Sequence, residues 1–70
     1  MVTKLDVLAE LSLLWPKYAT VSTITRRLGP VVDGREVRQA LDAVVASGEA
    51  EYLNGQGNNR RYRLADRMAS

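Results

Sequence analysis

Proline and glycine divide this chain into four short blocks, and this division limits the fold more than any other feature of the sequence. Pro16, the Gly29–Pro30 pair and Gly48 each stand where a helix or strand has to stop. Each block has room for one helix or one hairpin. With 70 residues, the sequence predicts a single domain over residues 1–70, with its core at about 3–65 and a frayed C-terminal tail.

The first block, TKLDVLAELSLLW, predicts a helix that begins at Thr3, which forms a capping box with Asp6, and ends before Pro16. Its polar arc is narrow, and apolar residues form two separate arcs, which one small core cannot easily use together. One alternative is that the helix is sandwiched inside its own domain. The other is that the second arc forms the contact of a homodimer. That arc comprises Val7, Leu11 and Leu14.

The second and third blocks predict two further helices. In YATVSTITRRLG, residues 19–21 predict a brief extended piece, Ser22 is a suitable N-cap and Gly29 ends the short helix. In DGREVRQALDAVVASG, Asp33 and Glu36 predict a capping box, and Gly48 predicts the stop. The apolar spacing of four and three predicts the buried face of this third helix. It comprises Val37, Leu41 and Val44.

The last block, EAEYLNGQGNNRRYRL, predicts a β-hairpin, because apolar and polar residues alternate on both sides of a turn rich in Gly and Asn. Tyr62 and Leu64 are the predicted inward pair. The arginines of this segment, Arg60, Arg61 and Arg63, are then expected at the surface.

The residue types that are missing exclude several classes of function. The chain has no cysteine and no histidine, which excludes disulfides, thiolate catalysis, cysteine zinc sites and the usual proton shuttle. No nucleophile–base pair and no glycine-rich phosphate loop after a strand is present, so we expect no enzyme, no metal and no cofactor. No apolar run approaches the ~20 residues of a membrane span, and the start of the chain lacks signal-peptide features. We therefore expect a soluble, cytoplasmic protein without a membrane partner.

The positive charge is concentrated at the C-terminal end. The formal net charge is +2, but residues 52–70 carry four arginines against Asp66, a local sum of +3. Of the 10 basic residues, all but Lys4 and Lys17 are arginine. Arginine makes forked contacts to phosphates and to guanine edges, so this bias favours an anionic or nucleic-acid partner.

The order of helix, short extended piece, helix, tight turn, helix and hairpin resembles the winged helix-turn-helix family. The resemblance rests on VSTITRRLG, on GREVRQALDAVVASGEAEYL and on NGQGNNRRYRL with its Tyr-x-Leu, and it covers about residues 3–65. It implies an α+β fold in which three helices are followed by a two-stranded β-hairpin, the wing.

The same resemblance implies contacts to double-stranded DNA. The third helix would enter the major groove and the wing, residues 54–63, would contact phosphates or the minor groove. Independently of family, arginine pairs with guanine and glutamine with adenine. The residues expected on bases are Arg35, Arg38 and Gln39. Those expected on phosphates or the minor groove are Ser22, Thr23, Arg26, Arg27, Asn58, Asn59, Arg60, Arg61 and Arg63.

Two functions follow as hypotheses. The first is a small sequence-specific DNA-binding protein that regulates transcription. The alternative is a winged-helix protein–protein interaction module, an adaptor or inhibitor without DNA binding, which the low net charge and the acids Asp42, Glu49 and Glu51 favour. A continuous basic face across the third helix and the hairpin indicates DNA, whereas a face interrupted by these acids indicates a protein partner.

Overall fold

The computed structural model describes residues 1–54 and 60–65, which form a small α+β fold of three helices and a three-stranded antiparallel sheet. The helices are α1 (Lys4–Leu14), α2 (Val21–Leu28) and α3 (Gly34–Ala46). The strands are β1 (Ala19–Thr20), β2 (Ala50–Asn54) and β3 (Arg60–Leu64), in the order β1-β3-β2. The sequence predicted only the pair β2–β3. The extended piece before α2 adds the third strand, because Ala19 pairs with Tyr62 and Thr20 with Arg61.

The helix caps agree with the sequence prediction at α1, agree in part at α3 and differ at α2. Thr3 and Asp6 form the predicted capping box. At α2 the N-cap is Thr20 rather than Ser22, because extended Thr20 accepts from the Thr23 amide at 3.2 Å. Asp33 caps α3 by accepting from the Arg35 amide, whereas the Glu36 carboxylate accepts from the Val2 amide and so ties the N-terminal residues to α3.

The core lies between the three helices and one face of the sheet. Tyr62 and Leu64 are buried as predicted, and Ala50 is buried beside them on β2. The apolar face of α3 is also buried as predicted, with Val37, Leu41 and Val44 all inaccessible to solvent. Gly48 leaves α3 at φ +84°, a conformation that favours glycine, and so directs the chain into β2.

The proposed dimer contact on α1 is wrong, because the arc chosen for it faces the core. Val7 and Leu11 are fully buried, and Leu14 is half-buried against the core. The opposite arc is the one in solvent, where Leu5 is 76% exposed and Leu13 71% exposed. The two arcs are similar in polarity, so the sequence alone does not show which of them is buried. None of the helices in the described ranges is long and apolar enough to cross a membrane.

Candidate nucleic-acid interface

The exposed side of α3 carries the residues that the sequence predicted to contact bases. Arg35, Arg38 and Gln39 are all exposed, and Asp42 follows them one turn later on the same side. Helical spacing of three and four places these side chains in one stripe, opposite the buried face. Within residues 1–54 and 60–65, neither Arg35 nor Arg38 has an ion-pair partner. Their guanidinium groups are therefore available to an external acceptor.

Asp42 connects this stripe to the hairpin. Its Oδ1 accepts a hydrogen bond from the Tyr62 hydroxyl at 3.3 Å and lies 3.6 Å from Nη1 of Arg60. Burial raises the pKa of the Tyr62 phenol, so this hydroxyl keeps its proton and remains a donor. The Arg60 guanidinium also lies 5.0 Å from the centre of the Tyr52 ring. The charge of Asp42 is thus offset inside the molecule rather than directed at a ligand.

The three hairpin arginines do not share one surface. Alternation along β3 places Arg60 on the same side as Tyr62, facing α3, and places Arg61 and Arg63 on the outer face of the sheet. The sequence prediction treated them as one cluster. Side chains two residues apart in a strand lie on the same face, so the sequence already implied that Arg60 lies on the face of Tyr62 and apart from Arg61 and Arg63.

Arg63 is occupied by contacts inside the molecule. Its Nε donates to Oε2 of Glu51 at 3.0 Å, its Nη2 contacts the same carboxylate, and its guanidinium lies 4.5 Å from the centre of the Tyr18 ring. The hydrogen bond from Arg63 also lowers the pKa of Glu51. Arg61, by contrast, is exposed and has no ion pair within the described part of the chain. Of these two residues, Arg61 is therefore the one suited to contact a phosphate.

The residues predicted on α2 divide in the same way. Arg27 forms an ion pair with Glu10 of α1, with 2.6 Å between Nε and Oε1, whereas Arg26 is exposed with no ion pair among the described residues. Ser22 is exposed. Thr23 is half-buried, and both its amide and its hydroxyl bond to Thr20. The start of α2 therefore offers fewer free donors for a phosphate than the sequence suggested, because the Thr23 amide already donates to the N-cap Thr20.

Every carboxylate in the described ranges accepts a hydrogen bond or forms an ion pair within the chain. These are Asp6, Glu10, Asp33, Glu36, Asp42, Glu49 and Glu51. Glu49, for example, bonds to Ser47 and Lys4, which lower its pKa in that order. The cations without an ion pair among the same residues are Lys17, Arg26, Arg35, Arg38 and Arg61. Only Glu10, Asp42, Glu49 and Glu51 are paired with a cation, whereas Asp6, Asp33 and Glu36 accept from backbone amides and keep their charge. Cations without an ion pair therefore outnumber carboxylates without one among the described residues.

No family model, curated protein or solved structure matches the chain. Two of the predicted contact residues, Asn58 and Asn59, lie outside the described residues. Within those ranges, no three carboxylates converge in an arrangement that would hold a metal ion.

Proposed function

We propose that this chain is a small sequence-specific DNA-binding protein of the winged helix-turn-helix type, acting as a transcription regulator. The observation that carries the proposal is the exposed stripe of α3. Among the described residues Arg35 and Arg38 lack ion-pair partners there, and Asp42, the carboxylate on the same stripe, is paired with Arg60. The layout of three helices followed by an antiparallel sheet is compatible with this fold family.

In the proposed complex, α3 lies in the major groove with its N-terminal half against the bases. Arg35 or Arg38 would donate two hydrogen bonds to O6 and N7 of guanine, and Gln39 would make the paired contact to adenine. Asp42 would not repel the phosphates strongly, because Arg60 lies 3.6 Å from its carboxylate. The base contacts supply sequence preference, and the surrounding cations supply affinity.

Arg26 and Arg61 are the proposed phosphate contacts outside α3. Both are exposed, and both lack an ion pair in the part of the chain that the structure describes. If these two cations and the α3 arginine that does not contact a base neutralise phosphates, the logarithm of the association constant falls with the logarithm of salt concentration at a slope of about −3. This slope distinguishes DNA binding through the basic surface from a contact of mainly apolar character.

A selection from random duplex DNA at moderate salt tests the proposal, followed by a salt titration on the enriched sequence. The double variant Arg35→Ala/Gln39→Ala is expected to lose the preference for the enriched motif. Lys17→Ala serves as a matched control, because Lys17 is an exposed cation without an ion pair in the described residues that lies outside α3. The proposal is wrong if the protein binds no duplex at low salt, or if the control loses the motif as completely as the double variant.

The second candidate is a winged-helix module that binds a protein instead of DNA. It is favoured by the internal pairing of Arg27, Arg60 and Arg63, which leaves only part of the arginine content free to contact a polyanion. The same selection separates the two functions, since a module of this kind enriches no duplex sequence. We favour DNA because the arginines without an ion pair among the described residues include Arg35 and Arg38 on the exposed stripe of α3.

A further inference from the structure

The outward face of α1 is apolar and carries no charged residue at its centre. Leu5 and Leu13 are 76% and 71% exposed, and Ala9 and Ser12 between them are also exposed. At 100° per residue these four side chains fall within one arc of about 100°, opposite buried Val7 and Leu11. A helix that is apolar on both sides normally has both sides covered. We refer to Leu5, Ala9, Ser12 and Leu13 as the outer face of α1.

The outer face of α1 has a symmetric pattern. Leu5 precedes Ala9 by four residues and Leu13 follows it by four, so the spacing is the same in both directions along the helix. A two-fold axis through Ala9 would place Leu5 of one chain against Leu13 of another, twice, and the small Ala9 side chains would let the helices approach closely. An isologous interface requires such self-complementarity. We propose that the outer face of α1 binds the same face of a second copy, with the two helices antiparallel.

The charges beside the outer face favour the antiparallel direction. The first turn of α1 carries both Lys4 and Asp6, and the residues that follow its C-terminal end include Lys17, which has no ion pair among the described residues. Antiparallel packing keeps the two copies of Lys17 at opposite ends of the contact, and it also opposes the two helix dipoles. Parallel packing would place the two copies of Lys17 side by side.

The charged side chains of α1 have partners within their own chain, and Asp6, the one nearest the outer face, lies at its edge and accepts a hydrogen bond from the Thr3 amide. Glu10 is bound by Arg27 at 2.6 Å, and Lys4 is bound by Glu49 at 3.0 Å. Two leucines, an alanine and a serine bury a few hundred Å² per protomer, which is less than the ~800 Å² of a stable standard interface. The dimer is therefore weak, with association at micromolar or higher protein concentrations, and it is independent of the DNA-binding function proposed above.

Sedimentation velocity over a series of protein concentrations, without DNA, tests the dimer. The wild-type sedimentation coefficient is expected to rise with concentration. Leu13→Glu is expected to raise the dissociation constant at least tenfold, since the mutation places a charge in the contact on both sides of the axis. The matched control is Val31→Glu, because Val31 is 94% exposed but lies in the α2–α3 turn. Circular dichroism establishes that each variant is folded, and Ala9→Glu provides a second disruption of the same face.

Disulfide formation between introduced cysteines tests the antiparallel direction, which is possible because the chain has no cysteine of its own. In a mixture of Leu5→Cys and Leu13→Cys, the antiparallel dimer favours the mixed disulfide, whereas a parallel dimer favours the two symmetric ones. The proposal is overturned if the wild-type protein stays monomeric at millimolar concentration, if Val31→Glu disrupts association as much as Leu13→Glu, or if symmetric disulfides predominate. DNA binding can persist in each of these outcomes, so the two proposals fail separately.

Discussion

The hydroxyl of Tyr62 donates a hydrogen bond to the carboxylate of Asp42 across 3.3 Å and so joins the hairpin to the exposed side of α3. The two residues differ in environment, because the Tyr62 ring is fully buried whereas Asp42 is exposed. The ring is held by the core, and its hydroxyl fixes the position of a surface carboxylate. The contact therefore couples the packing of the sheet to the proposed DNA-reading surface.

We expect Tyr62→Phe to lower the free energy of unfolding by about 0.5–1.5 kcal/mol, because it removes this hydrogen bond while it keeps the buried ring. The measurement is chemical denaturation of the wild-type protein and the variant. In an Asp42→Ala background the same substitution should cost less, since the acceptor is already absent. An equal cost in both backgrounds would show that the hydroxyl stabilises the fold through another partner.

Leu41→Ala should reduce the free energy of unfolding by about 2–5 kcal/mol, because Leu41 is fully buried and its truncation leaves a cavity. The total free energy of unfolding of a domain of this size is only slightly larger than this loss. Thermal unfolding followed by circular dichroism measures the effect. Val31→Ala is the control, and this exposed site should change stability by less than about 0.5 kcal/mol.

Stability should fall in acid through the Glu51 carboxylate. The pKa of Glu51 is lowered from 4.5, first by its hydrogen bond from Arg63. Because the pKa is lower in the folded state, the contribution of Glu51 is present above the unfolded pKa and is lost as pH falls through the folded pKa. Thermal unfolding midpoints from neutral pH to below 4.5 should show this loss.

Glu51→Gln is expected to make the acid dependence shallower, because glutamine does not titrate. Asp33→Asn is a suitable comparison, since Asn also caps helices and the substitution removes a carboxylate outside the Arg63 contact. A pH dependence that is unchanged in Glu51→Gln would assign the acid sensitivity to other carboxylates, of which Glu49 is the first candidate because its pKa is also lowered.

Substitutions on α3 and on the hairpin should have different effects on DNA binding. Arg35→Ala or Gln39→Ala should weaken binding by about 1–3 kcal/mol per lost paired contact and relax the base preference. Arg61→Ala should weaken binding to all sequences alike and reduce the salt slope by about 1. Competition titrations with specific and random duplexes measure both effects. If Arg61→Ala changes nothing while Arg35→Ala abolishes binding, the hairpin is not a phosphate contact.

Features that depend on residues close together in the sequence were predictable from the sequence. The Thr3–Asp6 capping box, the buried face of α3 and the inward pair Tyr62 and Leu64 all follow from spacings within one element. The cap of α2 was not predictable in this way. Thr20 and Ser22 are both good caps, and the pairing of Thr20 with Arg61 in the sheet places Thr20 in the extended conformation that a cap requires.

The sequence by itself determined the number and type of the helices and the hairpin, because local periodicity and capping act over a few residues. Only the tertiary structure decided which arc of α1 is buried, since both arcs are apolar and the position of α3 and β3 selects between them. The tertiary structure also decided which side chains are paired within the described part of the chain. Arg27 meets Glu10 across 17 positions and Tyr62 meets Asp42 across 20, and contacts at such separations depend on how the elements pack.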